Sequence, residues 1–533
     1  MAAGLPQIAG TLAPVAPDQR IQDLDVVRGF ALIGIMLMNV EFFNRTTHGI
    51  MEGMPPGLRG LDWAASWFIA YFVQGKFWTI FSLLFGMGFA VMLMRAERAG
   101  RDFLWPYLRR IGALAVFGAA HYIFLWDGDI LFSYALAAGV LLILLCAKWK
   151  HILIALVPLA AVGFIPGLDA VWGMAATLQS IAVNSLYLRS EFRVRLRGAN
   201  LPLFSFIQLV LGSIGVIAAV VLWLLPDGPK EPRVPVTMVS IGMLVVGILA
   251  AKFHDPVELR GLRLGVATYV FVCVMMTVGG AVQYLAPNPP PAAAADQKAR
   301  AAAAERLDRL ANRQADKRNE ASVFSQGSYL GTVELRARKF PLKVARDAGF
   351  AIVLVAMFLL GVWFVRSGVM EDAQAHLPLF RKLVLFGIPI GVGLGLLGSF
   401  IAISSTPGID RDGFMAARGL AMLGNLPACL GYVGMAVLML HSKSVFAGIR
   451  VLAPFGRMAL THYLVQSVIC SLYFYGYGLG HWGMARSWQV VFVGVVLASQ
   501  IAFSHWWLAR YRFGPMEWLW RGFTYRETPV MRR

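Results

Sequence analysis

Long apolar blocks follow one another along most of this chain, separated by short polar segments. Each block is roughly 17–25 residues long, which is enough for a helix to cross a ~30 Å hydrocarbon core. The blocks are continuously apolar rather than alternating, so they predict helices and not the strands of a membrane barrel. We therefore expect an all-α, polytopic helical membrane protein with about 13–14 transmembrane helices. The predicted spans are residues 24–43, 62–94, 107–125, 129–147, 151–167, 169–188, 201–225, 235–251, 262–285, 346–367, 381–404, 416–441, 452–476 and 486–509.

Two of these blocks are irregular. The block at 62–94 is too long for one simple helix and is interrupted at residues 75–77 (GKF), so a lateral or re-entrant half at 62–74 should precede the span proper. The block at 169–188 is the weakest because polar residues make it amphipathic. We retain it as a span because the loop charges on either side require an even number of spans between residues 168 and 345.

The blocks and the loops between them divide the chain into five segments. The loop at 286–345 opens with a proline-rich stretch and continues with alanine, arginine and glutamate, which favour a helix. We expect a solvated helix there, reaching to about Glu320. The segments are a cytoplasmic N-terminal segment (1–23), an N-terminal transmembrane bundle (24–167), inserted transmembrane segments (168–285), the extramembrane loop (286–345) and a C-terminal transmembrane domain (346–526).

The distribution of charge between the loops predicts the orientation. Loop 95–110 and the tail after residue 509 are rich in arginine and therefore cytoplasmic, whereas the acidic loop 126–128 faces outward. Counting spans from these loops puts loop 286–345 outside and both termini in the cytoplasm. Residues 1–20 show no basic segment followed by an apolar core, so the first helix should direct insertion itself. These features indicate a multi-pass protein of the bacterial inner (cytoplasmic) membrane.

Composition and charge restrict the classes of binding partner that we expect. Hydrophobic residues make up 58% of the 533 residues, charged residues 14%, and the formal net charge is +19. The basic residues sit mainly at the ends of apolar blocks, which favours membrane anchoring over nucleic-acid binding. The expected partners are membrane lipids and a small-molecule or lipid substrate, with no nucleic acid; a homo-oligomer is compatible with the sequence. The cysteines lie inside apolar blocks without metal-ligand spacing, so no metal or disulfide is predicted; they are Cys146, Cys273, Cys429 and Cys470.

Several short motifs stand out along the chain. They are 20–31 (RIQDLDVVRGFA), 75–77 (GKF), 81–86 (FSLLFG), His121 with 128–131 (GDIL), 456–461 (GRMALT), Tyr463, 466–467 (QS), 475–480 (YGYGLG) and 513–518 (FGPMEW). These motifs resemble those of the YeiB-like family, which is defined by a domain of unknown function (418) and is grouped with the transmembrane acyltransferases, including the heparan-glucosaminide acetyltransferase type. The resemblance covers about 24–150 and 325–526, and it implies acyl transfer. Segment 169–285 holds more spans than the family usually has, and His462 stands where the family usually carries asparagine.

Four polar residues are candidates for binding an acyl-CoA donor; three lie near the cytoplasmic ends of spans and the fourth, Lys76, lies at a helix break. Asp25 and Arg28 are three residues apart and therefore share a helix face. A guanidinium oriented by a carboxylate suits a diphosphate, although a snorkelling ion pair explains the spacing equally well. Lys76 at the helix break and Arg457 in the C-terminal motif complete this group, with anchoring at the membrane interface as the alternative for both.

His121 is the candidate general base, with Asp127 or Asp129 orienting its ring. A histidine can take the proton from an acceptor hydroxyl or amine, and a carboxylate can fix its tautomer. The structural alternative is a histidine that is hydrogen-bonded within the bundle. Ionisable groups within membrane spans are costly, and this favours a functional role.

Asn39 and Gln466 are the candidates for binding the acceptor substrate. Asn39 lies eleven residues after Arg28, or about 16 Å further along the helix and near its outer end. Gln466 could belong to a polar stripe with Arg457 and Thr461. For both residues, a hydrogen bond between helices is the simpler interpretation.

Three functions remain open at this point. The first is an acyltransferase that moves an acyl group from a cytoplasmic carrier such as acetyl-CoA to an acceptor at or across the membrane. The second is a transporter or permease for a lipid or small metabolite, which usually shows matching broken helices in its two halves. The third is a non-catalytic membrane subunit. The single evident break at 75–77 favours the enzyme.

Overall fold

The structure, a computed structural model, describes residues 21–146, 184–189, 192–196, 199–225, 233–285, 297–403 and 413–533. These residues are almost entirely helical, which confirms the predicted class; one short antiparallel hairpin joins β1 (Arg193–Leu196) to β2 (Ala199–Pro202). The α-helices are α1 Gln22–Asn39, α2 Thr47–Met51, α3 Gly60–Phe68, α4 Lys76–Ala99, α5 Leu104–Ala120, α6 Leu131–Cys146, α7 Leu203–Leu224, α8 Arg233–Lys252, α9 Arg260–Leu285, α10 Gln297–Gln326, α11 Tyr329–Arg366, α12 Leu377–Lys382, α13 Ile388–Ser399, α14 Phe414–Leu440, α15 Leu452–Arg457, α16 Ala459–Phe474, α17 Arg486–Arg510 and α18 Pro515–Tyr525.

Within the described ranges, nine helical stretches are long and apolar enough to cross a membrane, and three shorter apolar helices accompany them. The chain is therefore a multi-pass membrane protein. The predicted span at 151–167 and most of that at 169–188 lie outside the described residues.

The chain forms two compact units, one from Met1–Leu136 with Thr268–Arg533 and one from Ala137–Ala267. In the first unit the N-terminal and C-terminal parts of the sequence pack together. In the second unit α7 packs along α8, and the hairpin β1–β2 lies against α7. All the candidate site residues belong to the first unit.

Two glycines allow α1 and α15 to approach each other closely. A Cβ atom on Gly456 would collide with the carbonyl oxygen of Asp25, and one on Gly29 would collide with that of Leu452. Both positions therefore require glycine. This contact joins the N-terminal motif to the C-terminal motif, although more than four hundred residues separate them.

The break predicted at 75–77 is present. The stretch after α3 continues as a π-helical turn at Ile69–Val73, and Gly75 then adopts a φ of 85°, a left-handed conformation that favours glycine. The span proper, α4, starts at Lys76. The helix is therefore interrupted where the polar lysine enters the bundle.

The predicted segment boundary between residues 345 and 346 falls inside the continuous helix α11, which already begins at Tyr329. The preceding helix α10 extends past the predicted Glu320 to Gln326, and it is docked at its end rather than solvated throughout. Glu320 and Phe324 on α10 are only 1% and 2% exposed. Phe324 stacks on Tyr475 with ring centroids 4.9 Å apart.

Candidate active site

His121 lies between a carboxylate and a hydroxyl. Its Nδ1 is 2.9 Å from Asp129 Oδ1, and its Nε2 is 2.8 Å from Ser467 Oγ. His121 opens a π-helical turn that extends α5 to Leu125, an irregularity that is frequent at functional sites. The three side chains come from the end of α5, the loop before α6 and the middle of α16.

The carboxylate of Asp129 accepts hydrogen bonds from the backbone as well as from His121. Oδ1 also accepts from the backbone N–H of Leu131 at 3.2 Å, and Oδ2 accepts from that of Phe132 at 2.9 Å. These are the first amides of α6, which no carbonyl within the helix can satisfy. Both carboxylate oxygens already accept backbone N–H groups, so Asp129 also accepts from His121; the imidazole proton then sits on Nδ1 and the Nε2 lone pair points to Ser467.

All three groups are withdrawn from solvent. His121, Asp129 and Ser467 are 2%, 5% and 2% exposed. The rings of Tyr463 and Trp126 flank the imidazole, with centroids 5.1 and 6.0 Å from it. In such a dry environment, charge developing on the imidazole interacts with Asp129 more strongly than it would in water.

Asp127, the other predicted orienting carboxylate, is placed elsewhere. Its Oδ2 accepts from Thr47 Oγ1 at 3.0 Å, and the hydrogen bond to His121 is made by Asp129 instead. Burial, with the nearby charge of Glu320 adding to it, raises the pKa of Asp127. The sequence placed two acids close to His121, and the geometry separates their roles because Asp127 points away towards α2.

A cavity of about 340 Å³ lies in the first unit, a volume within the usual range for small-molecule sites. Asp25 and Arg28 line it and are paired, with Nη1 3.0 Å from Oδ1, as their spacing predicted. Glu517 also lines it and anchors the start of α16 by accepting from the amides of Leu460 and Thr461. The arginines in its wall are Arg28, Arg95, Arg110, Arg457, Arg512 and Arg521.

One part of this cavity lies close to the three hydrogen-bonded side chains. Ile130 and Tyr463 line it; Ile130 follows Asp129 directly, and Tyr463 lies one helical turn before Ser467 on α16. A ligand with phosphate groups at the arginines could therefore extend an apolar arm towards His121. Phosphate suits this wall because arginine presents a planar fork of donors to it.

The other predicted site residues lie outside the cavity wall. Lys76 is 1% exposed at the start of α4, and Asn39 is half-buried at the end of α1. Gln466 donates through Nε2 to Gln500 Oε1 at 2.9 Å, which is the contact between helices that the simpler interpretation predicted. The structure thus brings Asp25, Arg28 and Arg457 together but leaves these three residues elsewhere.

Some site residues carried no assigned role in the sequence. Ser467 stood in the QS motif beside Gln466, but only packing shows that it, and not Gln466, contacts His121. The arginines of α5 and the tail, Arg110, Arg512 and Arg521, were interpreted as topology signals or interfacial anchors. They line the cavity because α18 docks on α5, where Trp520 Nε1 donates to the carbonyl of Arg110 at 2.9 Å.

Residues 364–527 match the family model described as "Protein of unknown function (DUF418)". "Uncharacterized protein YxaH" of Bacillus subtilis (strain 168) is 28% identical over 97% of this chain and 96% of its own length. "Uncharacterized protein YeiB" of Escherichia coli (strain K12) is 25% identical over 95% of this chain and 97% of its own. An "Uncharacterized 39.9 kDa protein in amylase 3'region" of Bacillus acidopullulyticus is 38% identical over 24% of this chain and 35% of its own. No solved structure matches.

The matched family region supplies only part of the site. Ser467 and Arg457 lie within residues 364–527, whereas His121, Asp129 and Arg28 precede them. The two long matches extend over both parts of the chain.

Proposed function

We propose that this chain, which belongs to the YeiB-like family of DUF418 proteins, is a membrane-embedded acyltransferase. It would move an acyl group from a cytoplasmic carrier such as acetyl-CoA to a hydroxyl or amine acceptor at or across the bacterial inner membrane. The observation that carries the proposal is the Asp129–His121 pair beside the arginine-lined cavity. A base and a site for a phosphate-bearing donor then lie next to each other.

The cavity suits the donor in charge and in shape. Six arginines and two carboxylates line it, so a di- or triphosphate-bearing carrier finds an excess of positive charge. Its volume of about 340 Å³ accommodates the narrow thiol arm of such a carrier better than the complete nucleotide. The nucleotide would therefore remain at the mouth, and the thioester would enter towards Tyr463.

His121 supplies the proton transfer. Transfer to a hydroxyl or amine requires the acceptor to lose a proton as its oxygen or nitrogen bonds to the thioester carbonyl carbon. With Nδ1–H donated to Asp129, Nε2 can take this proton and then pass it to the departing thiolate. No other proton donor is required, and the two products are the acylated acceptor and the free thiol.

The predicted topology would place the donor side of the site at the cytoplasmic face. Arg95, Arg110 and Arg512 of the cavity lie in or next to loops with a cytoplasmic charge pattern, and acyl-CoA is made on that side. Asp127 and α10 belong to segments predicted to lie outside. The acyl group would then pass from a cytoplasmic cavity to a buried base near the outer part of the bundle.

Transport is the second candidate, because the structure reveals an irregularity in the second half that the sequence did not. A π-helical turn at Leu383–Gly387 joins α12 to α13, as the turn at Ile69–Val73 precedes α4. Transporters often place interrupted helices in both halves. A transporter would carry its substrate without breaking the thioester bond, so product analysis separates the two functions.

Purified protein in detergent, supplied with acetyl-CoA labelled in the acetyl group and with membrane lipid or glycan extracts, tests the proposal. We expect labelled acceptor and free CoA with the wild type. His121→Gln should leave expression and thermal stability unchanged and lower the rate by roughly 10²–10⁴-fold, the usual contribution of a general base.

The matched control is His462→Gln. His462 is also buried, 1% exposed, and its Nε2 lies 2.6 Å from Ser504 Oγ, but among the described residues no carboxylate lies within salt-bridge distance of its ring, as Asp129 does for His121. Its replacement should leave the transfer rate unchanged. Equal activity of His121→Gln and the wild type would contradict the assignment of the base. Uptake of intact acetyl-CoA by lipid vesicles containing the purified protein, without CoA release, would favour transport.

A further inference from the structure

The lone pair of His121 Nε2, the proposed base, already accepts a hydrogen bond. Ser467 Oγ lies 2.8 Å from His121 Nε2, and the other acceptor within its reach, the carbonyl oxygen of Tyr463, lies at 3.3 Å. Because Asp129 keeps the imidazole proton on Nδ1, the hydroxyl donates to Nε2. An incoming acceptor substrate therefore has to displace the Ser467 hydroxyl from Nε2, or it can lose its own proton to His121 only after Ser467 has done so.

A second serine–histidine pair shows what distinguishes this arrangement. His462 Nε2 and Ser504 Oγ are 2.6 Å apart and both groups are buried. Among the described residues, however, no Asp or Glu side chain lies within salt-bridge distance of His462. Of these two pairs, the His121 pair alone combines a hydroxyl, an imidazole and a carboxylate in sequence.

Ser467 does not line the cavity itself, but it lies close to a residue that does. It lies one turn after Tyr463 on the same helix, and Tyr463 and Ile130 form the part of the cavity wall nearest to it. The narrow end of a donor that displaces the Tyr463 ring would place its carbonyl carbon at the hydroxyl. The same movement would bring it against the imidazole, since that ring lies 5.1 Å from the Tyr463 ring.

We infer that Ser467 is the nucleophile of a double displacement and carries the acyl group as an ester between donor and acceptor. This inference rests on the proposed acyl transfer and identifies the residue that holds the intermediate. Ser467 Oγ bonds to the thioester carbonyl carbon while its proton moves to His121 Nε2. The C–S bond breaks, and the thiolate leaves with the proton from the imidazolium.

In the second half-reaction, the acyl group moves from Ser467 to the acceptor, which now acts as the nucleophile. The acceptor hydroxyl or amine bonds to the ester carbonyl carbon and gives its proton to His121 Nε2. The bond from that carbon to Ser467 Oγ breaks, and the serine recovers the proton. No oxidant or reductant takes part, and the donor thiol can leave before the acceptor arrives. Donor and acceptor can consequently use opposite faces of the bundle in turn.

The intermediate can be trapped by omitting the acceptor. Full-length protein in detergent is incubated with acetyl-CoA labelled in the acetyl group, denatured and digested, and the peptides are analysed by mass spectrometry. We expect one acetyl group on the peptide that contains Ser467, released by alkali but retained in neutral hydroxylamine. Ser467→Ala should lose this label and lower transfer by roughly 10³–10⁴-fold.

Ser467→Cys supplies a readout that a purely structural role would not produce. A thiol in this position should accept the acetyl group as a thioester, which neutral hydroxylamine releases. Ser504→Ala and Ser471→Ala, which alter buried serines elsewhere in the bundle, should retain label and transfer. Thermal unfolding of each variant checks that it is folded.

The outcomes separate the two proposals. Transfer at the wild-type rate by Ser467→Ala, or an unlabelled wild type that turns over normally, would overturn the covalent intermediate and leave direct transfer by His121. A folded wild type that neither becomes labelled nor transfers acetyl groups would overturn the proposed acetyltransferase itself.

Discussion

Asp129 is required for two tasks at once. Its carboxylate holds the His121 ring through Nδ1 and also satisfies the first amides of α6. A substitution that largely preserves one task and removes the other therefore isolates the catalytic contribution proposed for Asp129. Asparagine comes closest, because its amide oxygen can replace Oδ2 as the acceptor for the Phe132 amide.

Asp129→Asn should lose the hydrogen bond from the Leu131 amide, a cost of about 1 kcal/mol, and should be about 10⁴-fold slower in transfer. The amide can donate to Nδ1, which would shift the imidazole proton to Nε2 and remove the base. Thermal unfolding and the transfer rate measure the two effects separately. A stable variant with the wild-type rate would reduce Asp129 to a helix cap.

Arg28→Lys should raise the KM for acetyl-CoA by roughly 10–100-fold with little change in kcat. Lysine keeps the charge but loses the planar fork that suits phosphate. Arg366→Lys is the control, because Arg366 forms an exposed pair with Glu97 outside the cavity. An unchanged KM for Arg28→Lys would mean that the residue only anchors α1.

Sequence reasoning identified the parts of the site that are local in the chain. The Asp25–Arg28 pair follows from helical spacing, and Asp129 is eight residues from His121. Ser467 is 346 residues from His121, and nothing in spacing or periodicity indicates such a contact. The arginines were visible as charges, but their shared cavity depends on how α18 folds back on α5.

At the scale of elements, α10 is held by one buried carboxylate. Glu320 Oε1 accepts from the amide of Thr47 at 2.8 Å, and Oε2 accepts from Lys339 at 3.3 Å, with His48 beside it. Burial alone would raise the pKa of Glu320, but its hydrogen bonds and these cationic neighbours lower it well below its ordinary value. The ionised carboxylate therefore fastens α10 to α2 and α11.

Glu320→Gln should release α10 at neutral pH, and amide exchange measured by mass spectrometry should show protection of that helix falling roughly 10–100-fold. Because the folded-state pKa of Glu320 is lowered, its contribution is present above the ordinary pKa of about 4 and disappears as the pH falls through the lowered value. The wild type should lose the same protection on acidification.

The control lies on the same helix. Glu305 is exposed and pairs only with Arg309, one turn away, so Glu305→Gln should leave exchange unchanged. Similar exchange in Glu320→Gln and in the wild type at neutral pH would show that apolar contacts, chiefly Phe324 on Tyr475, hold the helix without the carboxylate.

Helix existence was predictable here, but helix ends were not. The apolar blocks located the spans because hydrocarbon permits few alternatives to a helix. The hydropathy signal of α11 begins near residue 346, whereas the helix starts at Tyr329, since its first turns are polar and still bury Thr332, Arg336 and Lys343. Hydropathy along the sequence therefore cannot predict that a polar helical segment packs against the bundle.

At the scale of the whole molecule, the orientation of the chain in the membrane decides from which side the proposed donor and acceptor would reach the site. A cysteine at Gln314, exposed on α10, should react with an impermeant maleimide in intact cells. A cysteine at Ala99, exposed at the end of α4, should react only after the cells are broken. Of the native cysteines, Cys273, Cys429 and Cys470 are buried, and the half-buried Cys146 is replaced by serine in both variants to remove its background.

The reverse labelling pattern would invert the proposed orientation, with the arginine cavity then opening away from the cytoplasmic pool of acyl-CoA. Such a result would contradict a cytoplasmic donor while leaving the geometry around His121 unchanged. Labelling of both positions in intact cells would indicate damaged membranes, which an impermeant dye detects in the same sample.

The close contact of Gly29 and Gly456 has a consequence for how the protein is made. At synthesis rates of 5–20 residues per second, the first helix waits roughly 20–90 s for the partner against which it packs. During that time Asp25 and Arg28 stand in the membrane interface without the rest of their cavity. Their 3.0 Å pairing within one helix lets each neutralise the other from the moment of insertion. The pair thus lowers the cost of placing two charged groups in the newly inserted helix, before the cavity that they line has formed.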